Sequence, residues 1–164
     1  MTDGALDLNI SGRGFFILAP KIGADPRFTR DGSFSLDALG NIVTTDGFNV
    51  AGYRRDEIDG LIKNSAEPLN VPLSITTKEG RDVSLTGINI DAYGNIETTY
   101  GLNNIVQRGQ IALAKFNNET ELKSTGSNTY QATQKSGEQI LGEAMSSNFG
   151  KILAGSLESS NTNI

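Results

Sequence analysis

The 164-residue chain contains no cysteine, no histidine and no tryptophan. Lack of cysteine removes disulfides, thiolate nucleophiles and zinc–thiolate sites. Lack of histidine removes the commonest general base and metal ligand, so serine–histidine and cysteine–histidine catalysis cannot be built within this chain. An enzyme made from it would have to run on carboxylates, lysine, tyrosine or a cofactor. The missing tryptophan also takes away the usual platform for holding a sugar. No apolar run approaches the ~18 residues of a membrane helix. The N-terminus shows no basic-then-apolar pattern, so export through a Sec signal is not expected.

Positive charge is scarce as well, with 14 Lys and Arg against 19 Asp and Glu, a formal net charge of −5. No stripe of basic residues with interleaved aromatics offsets that balance, which argues against nucleic acid as a partner. Ser, Thr, Asn and Gly together supply 62 residues, so helix propensity is poor over most of the length. Apolar residues make up only 37%, but they fall in alternating runs, which favours a folded β-rich domain over disorder. At this length one domain is expected, large enough to bury roughly 70% of its unfolded surface.

The most informative positive feature is a phrase that occurs twice. Residues 37–47, Asp-Ala-Leu-Gly-Asn-Ile-Val-Thr-Thr-Asp-Gly, return as residues 91–101, with eight of eleven positions identical at a shift of 54. Asp-Ala-x-Gly-Asn writes a tight turn in which Gly40 and Gly94 take positive φ. Phe34 and Leu36 before it, and Ile42 after it, alternate as strand residues do, and Ile88, Ile90 and Ile96 repeat the pattern. The phrase predicts a β-hairpin with a short glycine-containing loop, present in two copies.

Elsewhere Leu6, Leu8 and Ile10 alternate with polar residues as a half-buried strand. Ser11-Gly12-Arg13-Gly14 breaks it, and Phe15-Phe16-Ile17-Leu18 resumes as a short apolar strand. Pro20 to Pro26 reads as a loop. Arg27 to Leu36 and Asn41 to Tyr53 read as the arms of the first repeated hairpin, while the pattern between Asp56 and Lys63 is ambiguous and allows a short helical turn. Val71, Leu73 and Ile75 alternate around Pro72 as an edge strand. Ile105 to Phe116 is the longest strand, with Ile111, Leu113 and Lys115 on one face and Ala112, Ala114 and Phe116 on the other. From Asn117 to Gly142 the chain is polar and turn-rich. Phe149 to Leu157 fits either strand or helix, and Ser159-Ser160-Asn161 reads as a helix N-cap.

Candidate chemistry is thin. Asp25, Asp31, Asp37 and Asp46 lie close in sequence, and two carboxylates ~5–9 Å apart hydrolyse glycosides in other settings. Each sits beside Gly, Ala or Pro, where aspartate caps backbone N–H groups in turns. A calcium loop requires several carboxylates at fixed spacing ending in glutamate, and Asp37-Ala38-Leu39-Gly40-Asn41 does not match it. Gly12-Arg13-Gly14 lacks the Lys-Ser/Thr ending of a phosphate loop, and no helix follows it. No catalytic, cofactor or metal residue is therefore assigned.

Three blocks carry a family resemblance. The first is Leu6-Asp7-Leu8-Asn9-Ile10-Ser11-Gly12-Arg13-Gly14-Phe15-Phe16, with Phe28-Thr29-Arg30-Asp31-Gly32-Ser33-Phe34 and the run through Gly40-Asn41-Ile42 to Gly47. The second is Gly109-Gln110-Ile111-Ala112-Leu113-Ala114-Lys115-Phe116, followed by Leu122, Gly126, Asn128 and Tyr130. The third is Gly155-Ser156-Leu157-Glu158-Ser159-Ser160-Asn161. In this order the blocks resemble the globular part of bacterial flagellar rod and hook proteins.

That resemblance implies an axial structural protein of the flagellum, not an enzyme. It implies polymerisation into a helical tube with copies of itself and other axial proteins, in the basal body or hook. Long terminal helices form the inner tube in that family, and Gly155, Leu157, Glu158, Ser160 and Asn161 precede the C-terminal one. Both helices are expected to be missing here, leaving a monomeric globular core. Only 55 residues lie between Tyr53 and Gly109, too few for the additional outer domain of hook subunits. A rod protein is therefore expected ahead of a hook protein, although Val50-Ala51-Gly52-Tyr53 has hook-type phrasing. No cofactor and no small-molecule substrate are implied.

The expected fold is mainly β, a single β-rich globular domain with repeated glycine-turn hairpins and little helix. Residues 1–55 and 105–164 are expected to pair, with 56–104 a candidate sub-domain holding the second hairpin. The structural residues are Gly12, Gly14, Gly32, Gly40, Gly47, Gly94 and Gly101 for turns, and Phe15, Phe16, Phe34, Ile42, Leu113 and Phe116 for the core. Two other classes stay open at this point. One is a stand-alone β-rich binding module or adhesin, and the other is a carboxylate hydrolase using Asp31 or Asp37.

Overall fold

The computed structural model describes residues 5–19, 25–56, 58–146 and 148–155. The fold is mainly β, as the sequence led one to expect, and the helical content among the described residues is one 3₁₀ turn, Glu119–Glu121. The strands form one large antiparallel sheet and one three-stranded sheet.

The large sheet is organised around the twelve-residue strand Asn104–Lys115. Its first half pairs with Asn95–Tyr100, and its last four residues pair with Ile140–Glu143. On the other edge it meets Asn49–Asp56 at Gly109–Ile111 and Phe15–Ala19 at Leu113–Ala114. From Phe15–Ala19 the sheet continues through Arg27–Thr29 to the hairpin Lys123–Gly126 and Thr129–Gln131. At the opposite end lie Asp82–Ile90 and the edge strand Ser74–Thr76.

Side chains on the two faces of this sheet build two cores. Phe16, Leu18, Ile111 and Leu113 belong to one, together with Leu8, Phe34, Ile42, Ile96 and Ile152. Phe15, Ile17, Ala112, Ala114 and Phe116 belong to the other, with Phe28, Ala51 and Tyr53. A strand covered on both faces has no solvent side, which is why Phe15–Leu18 and Ile111–Ala114 are unbroken apolar runs. Edge-to-face rings lock each core, Phe16 against Phe34 at 5.1 Å and Phe28 against Phe116 at 4.8 Å.

The three-stranded sheet places Asp7–Ser11 between Lys151–Ala154 and Gly32–Ser33. Leu8 and Ile10 point into the first core while Asp7, Asn9 and Ser11 face solvent.

Several sequence expectations need correction. The first repeated hairpin is short, because only Ser35–Leu36 and Ile42–Val43 pair across the turn. Arg27–Thr29 pairs with Phe15–Ala19 instead. Among the described residues between Asp56 and Lys63 no helical turn forms, since Arg55–Asp56 pairs with Gly60–Leu61 as antiparallel strands. The Asp56 carboxylate accepts the Ile58 N–H at 2.7 Å there, which satisfies the loop without a helical bond. Phe149 to Leu157 resolves as strand over Lys151–Ala154. The polar stretch after Asn117 contains a hairpin and the strand Ile140–Glu143.

The two-faced strand sets a stability test. Leu113→Ala empties a fully buried position and should cost about 2–5 kcal/mol. Ile105→Ala, on the same strand but 59% exposed, should stay within about 0.5 kcal/mol. Urea denaturation of the two variants checks both values.

Candidate assembly site at the junction of the terminal strands

The antiparallel pairing of Asp7–Ser11 with Lys151–Ala154 brings distant parts of the chain together. Leu8 faces Ala154, Asn9 faces Leu153, Ile10 faces Ile152 and Ser11 faces Lys151. The Gly155 N–H donates to the Asp7 carbonyl at 2.8 Å. The described chain therefore enters and leaves the domain at one point.

Close backbone packing holds this junction. A Cβ on Gly150 would lie 2.4 Å from the Ser11 carbonyl oxygen, and one on Gly12 would lie 2.7 Å from the Gly150 Cα. No side chain fits between them, and the Gly150 N–H donates to the Arg13 carbonyl at 2.8 Å. Two arginines then bolt the bend to the large sheet. Arg30 donates to the carbonyls of Gly12 at 2.7 Å, Gly14 at 2.6 Å and Ile10 at 3.2 Å. Arg13 donates to the Phe116 carbonyl at 2.7 Å and pairs with Glu119 at 3.0 Å. Both guanidiniums face a cleft of about 430 Å³ that Phe15 and Tyr130 also line. Arg30 makes three bonds and Arg13 one to backbone oxygens, and charged donors on backbone oxygens are among the stronger hydrogen bonds. Sequence reasoning missed both arginines; the only available signal was an arginine flanked by two glycines.

The second repeated turn clamps onto the same junction. The Ala92 carbonyl accepts the Ile152 N–H at 3.0 Å. Within each turn the wiring is the same. Asp37 Oδ1 accepts the N–H groups of Leu39 and Asn41, both at 2.9 Å. Asp91 Oδ1 accepts those of Tyr93 at 3.0 Å and Asn95 at 2.9 Å. Gly40 and Gly94 sit at φ +85° and +88°. An amide side chain docks each turn from outside: Asn70 donates to the Leu39 carbonyl and Gln110 to the Tyr93 carbonyl, both at 2.9 Å. The next residue along, Val71 or Ile111, donates its N–H to the turn glycine's carbonyl. The docking pairs Asn70-Val71 and Gln110-Ile111 lie outside the repeat, so its phrase gave no sign of them.

The N–H of Asn41, then its side-chain amide, hold the Asp37 carboxyl below the usual aspartate range. Asp56 is lowered likewise, first by the Ile58 N–H. Glu143 is lowered chiefly by its hydrogen bond from Lys63. Burial raises the Tyr53 phenol, and Glu143 adds to that.

The expected core residues lie inside. Phe16, Ile42, Leu113 and Phe116 are fully buried, and Phe15 and Phe34 nearly so. Gly12, Gly14, Gly47 and Gly101 have positive φ, as do the two repeat glycines. Gly32 differs: it lies in a strand against Leu8, where a Cβ would come 1.9 Å from the Leu8 carbonyl oxygen. Its requirement is close approach, not a turn. Gly155 ends the described chain, and Leu157, Glu158, Ser160 and Asn161 lie outside the described residues. Asp31 and Asp46 do line one cleft, but its volume is about 40 Å³, far below the ~300 Å³ of a small-molecule pocket. Asp37 is occupied by its own turn.

Two outcomes follow for this site. Gly150→Ala should cost about 1–3 kcal/mol by forcing the terminal strands apart, whereas Gly87→Ala, with no neighbour nearer than 4.0 Å, should change stability by less than about 0.5 kcal/mol. Chemical denaturation of both reads the difference. Asp37 and Asp56 are depressed in the folded state, so their contribution is complete above the unfolded value of about 3.9 and is lost as pH falls through the folded value. Thermal midpoints measured from pH 7 down to pH 2 should fall below about pH 4. Asp37→Asn keeps the acceptor oxygen and should show a shallower fall in that window.

The sequence matches the family model for the flagellar hook protein FlgE/F/G D1 domain over residues 9–112. It is similar to the flagellar basal-body rod protein FlgG of Buchnera aphidicola subsp. Acyrthosiphon pisum, 33% identical over 164 residues, 99% of this chain and 53% of that protein. The FlgG of Agrobacterium fabrum is 31% identical over 160 residues, covering 98% and 52%. The flagellar hook protein FlgE of Escherichia coli is 31% identical over 161 residues, covering 84% of this chain and 39% of the hook protein. The chain spans about half the length of the rod proteins it matches. On its sequence match and its three blocks in order, the chain belongs to the flagellar rod and hook protein family, of which it carries the D1 domain.

Proposed function

We propose that this chain is the globular part of a rod subunit of the bacterial flagellum, built into a helical tube that transmits torque. It is a homologue of flagellar axial structural proteins, not of enzymes. The observation that carries the proposal is the pairing of Asp7–Ser11 with Lys151–Ala154. Segments flanking the domain on both sides leave from adjacent residues, as a pair of inner-tube helices requires. The globular body then projects outward from that point as one wall element.

Two observations favour rod over hook. The rod proteins align with nearly the whole chain, while the Escherichia coli hook protein aligns with less of it. The described strands between Tyr53 and Gly109 all join the large sheet, which leaves no separate outer unit in that stretch. We take the domain as one body on the same ground. Repeated heterologous contacts between copies, and with neighbouring axial proteins, generate a helical tube. Individually weak contacts sum along it by multivalency, and the net charge of −5 keeps the free subunit soluble before assembly.

The proposal is tested with an antibody raised against this chain, applied to fractionated cells. The expected product is well above 17.5 kDa, co-purifies with basal bodies and is absent from sheared hooks. Recovery in the sheared hooks would move the assignment to the hook. A product found with neither would end the axial reading and restore the stand-alone binding module.

A further inference from the structure

Three of the seven arginines in this acidic chain, Arg54, Arg55 and Arg108, line one cleft of about 220 Å³. The only carboxylate paired with them among the described residues is Glu67, 3.0 Å from Arg54. Arg55 and Arg108 have no carboxylate partner among those residues. Buried Leu69 and Ile96 form the apolar wall, and a low-dielectric wall strengthens charge interactions at its surface.

Arg108 is set in place by the backbone. Ile96 pairs with Gly109 and Glu97 with Gln107, so Arg108 is the extra residue of a β-bulge. Bulges of this kind re-aim a side chain out of the ladder's alternation. The guanidinium lies 5.3 Å above the Tyr100 ring and donates from Nη2 to the Tyr100 hydroxyl at 2.8 Å. Tyr100 is fixed in turn, because its hydroxyl donates to the Pro72 carbonyl at 2.7 Å. The fork is thus preorganised, yet its Nε is buried and has no hydrogen-bond partner. Three guanidiniums around one apolar-walled cleft, two of them without a carboxylate among the described residues, leave positive charge uncompensated there, and a carboxylate is the group whose geometry matches a guanidinium fork.

We propose that this cleft receives an Asp or Glu side chain from an acidic segment of a neighbouring axial subunit. The identity of that partner rests on the assembly reading above; the cleft's preference for a carboxylate does not. The volume accommodates an inserted side chain, and copies of a chain with 19 acidic residues present suitable groups. Arginine in a walled pocket is a frequent anchor of protein interfaces.

The test is an NMR titration of the chain with a hexaglutamate peptide at low salt, with inorganic phosphate titrated in parallel. The expected result is saturable one-to-one binding, with shifts confined to the amides around Arg54, Leu69, Ile96 and Arg108. Arg55→Gln and Arg108→Lys should each weaken it about tenfold, and Arg81→Gln, remote from the cleft, should leave it unchanged. Arg55 is exposed, so that variant reads the site even if Arg108→Lys perturbs the strand. Absence of saturable binding, or equal weakening by Arg81→Gln, overturns the proposal. Phosphate binding as tightly as the peptide overturns it too, in favour of a small-anion site. Peptide binding by a protein absent from flagella would remove the assembly reading and leave the carboxylate site standing.

Discussion

Everything in this domain leans on one strand with no free edge and no free face over its central residues. Asn104–Lys115 shares its two edges among four partners, two on each side. Over Ile111–Ala114 every side chain is buried, alternately in one core and the other. Such a strand cannot slip, because a shift of one residue would exchange the two faces along its whole length. Ile111 and Leu113 meet one core, while Ala112 and Ala114 leave room for Phe116 and Phe28 in the other. Fixed register here fixes the second repeated turn, and that turn fixes Ile152 at the terminal junction.

What could be read from the chain was whatever depends on near neighbours. The run Phe15–Leu18 declared a short apolar strand, and Asp-Ala-x-Gly-Asn declared its turn twice. The repeat also shows where local reading stops. Thr44-Thr45-Asp46-Gly47 turns immediately, with the Gly47 N–H on the Thr44 carbonyl. Thr98-Thr99-Tyr100 continues as strand. The difference rests on position 46 against 100: aspartate favours an exposed turn, whereas tyrosine is buried and reaches Pro72. That preference is visible only once the site for the ring exists.

The junction was hidden for a related reason. Arg30 joins carbonyls 16 to 20 residues away, and Arg13 reaches one 103 residues away. No periodicity marks such contacts, since an arginine on a bend reads as a solvated charge until the carbonyls converge on it. The same blindness applies to Asn70 and Gln110, polar residues whose partners are main-chain oxygens of another hairpin. Close approaches such as Gly12 to Gly150 leave only a glycine in each segment, and glycine has commoner meanings.

Under the proposed rod function, the position of these hidden contacts has a mechanical consequence. Load arriving through segments joined at Asp7 and Gly155 reaches the four-pair ladder between Asp7–Ser11 and Lys151–Ala154 first. Both segments leave from the same end of that ladder, so a force parting them opens it one pair at a time from Leu8–Ala154, while a force common to both passes on to the rest of the domain. From there the links to the large sheet run through Arg30 to the bend at Gly12–Gly14, Arg13 to the Phe116 carbonyl, and the Ala92–Ile152 bond from the second repeated turn. The charged, multiply bonded links therefore stand where the load path narrows, and the apolar cores stand where it has already spread. On the proposed rod reading, a subunit braced in this way would pass twist from its terminal strands to both sheets as one body.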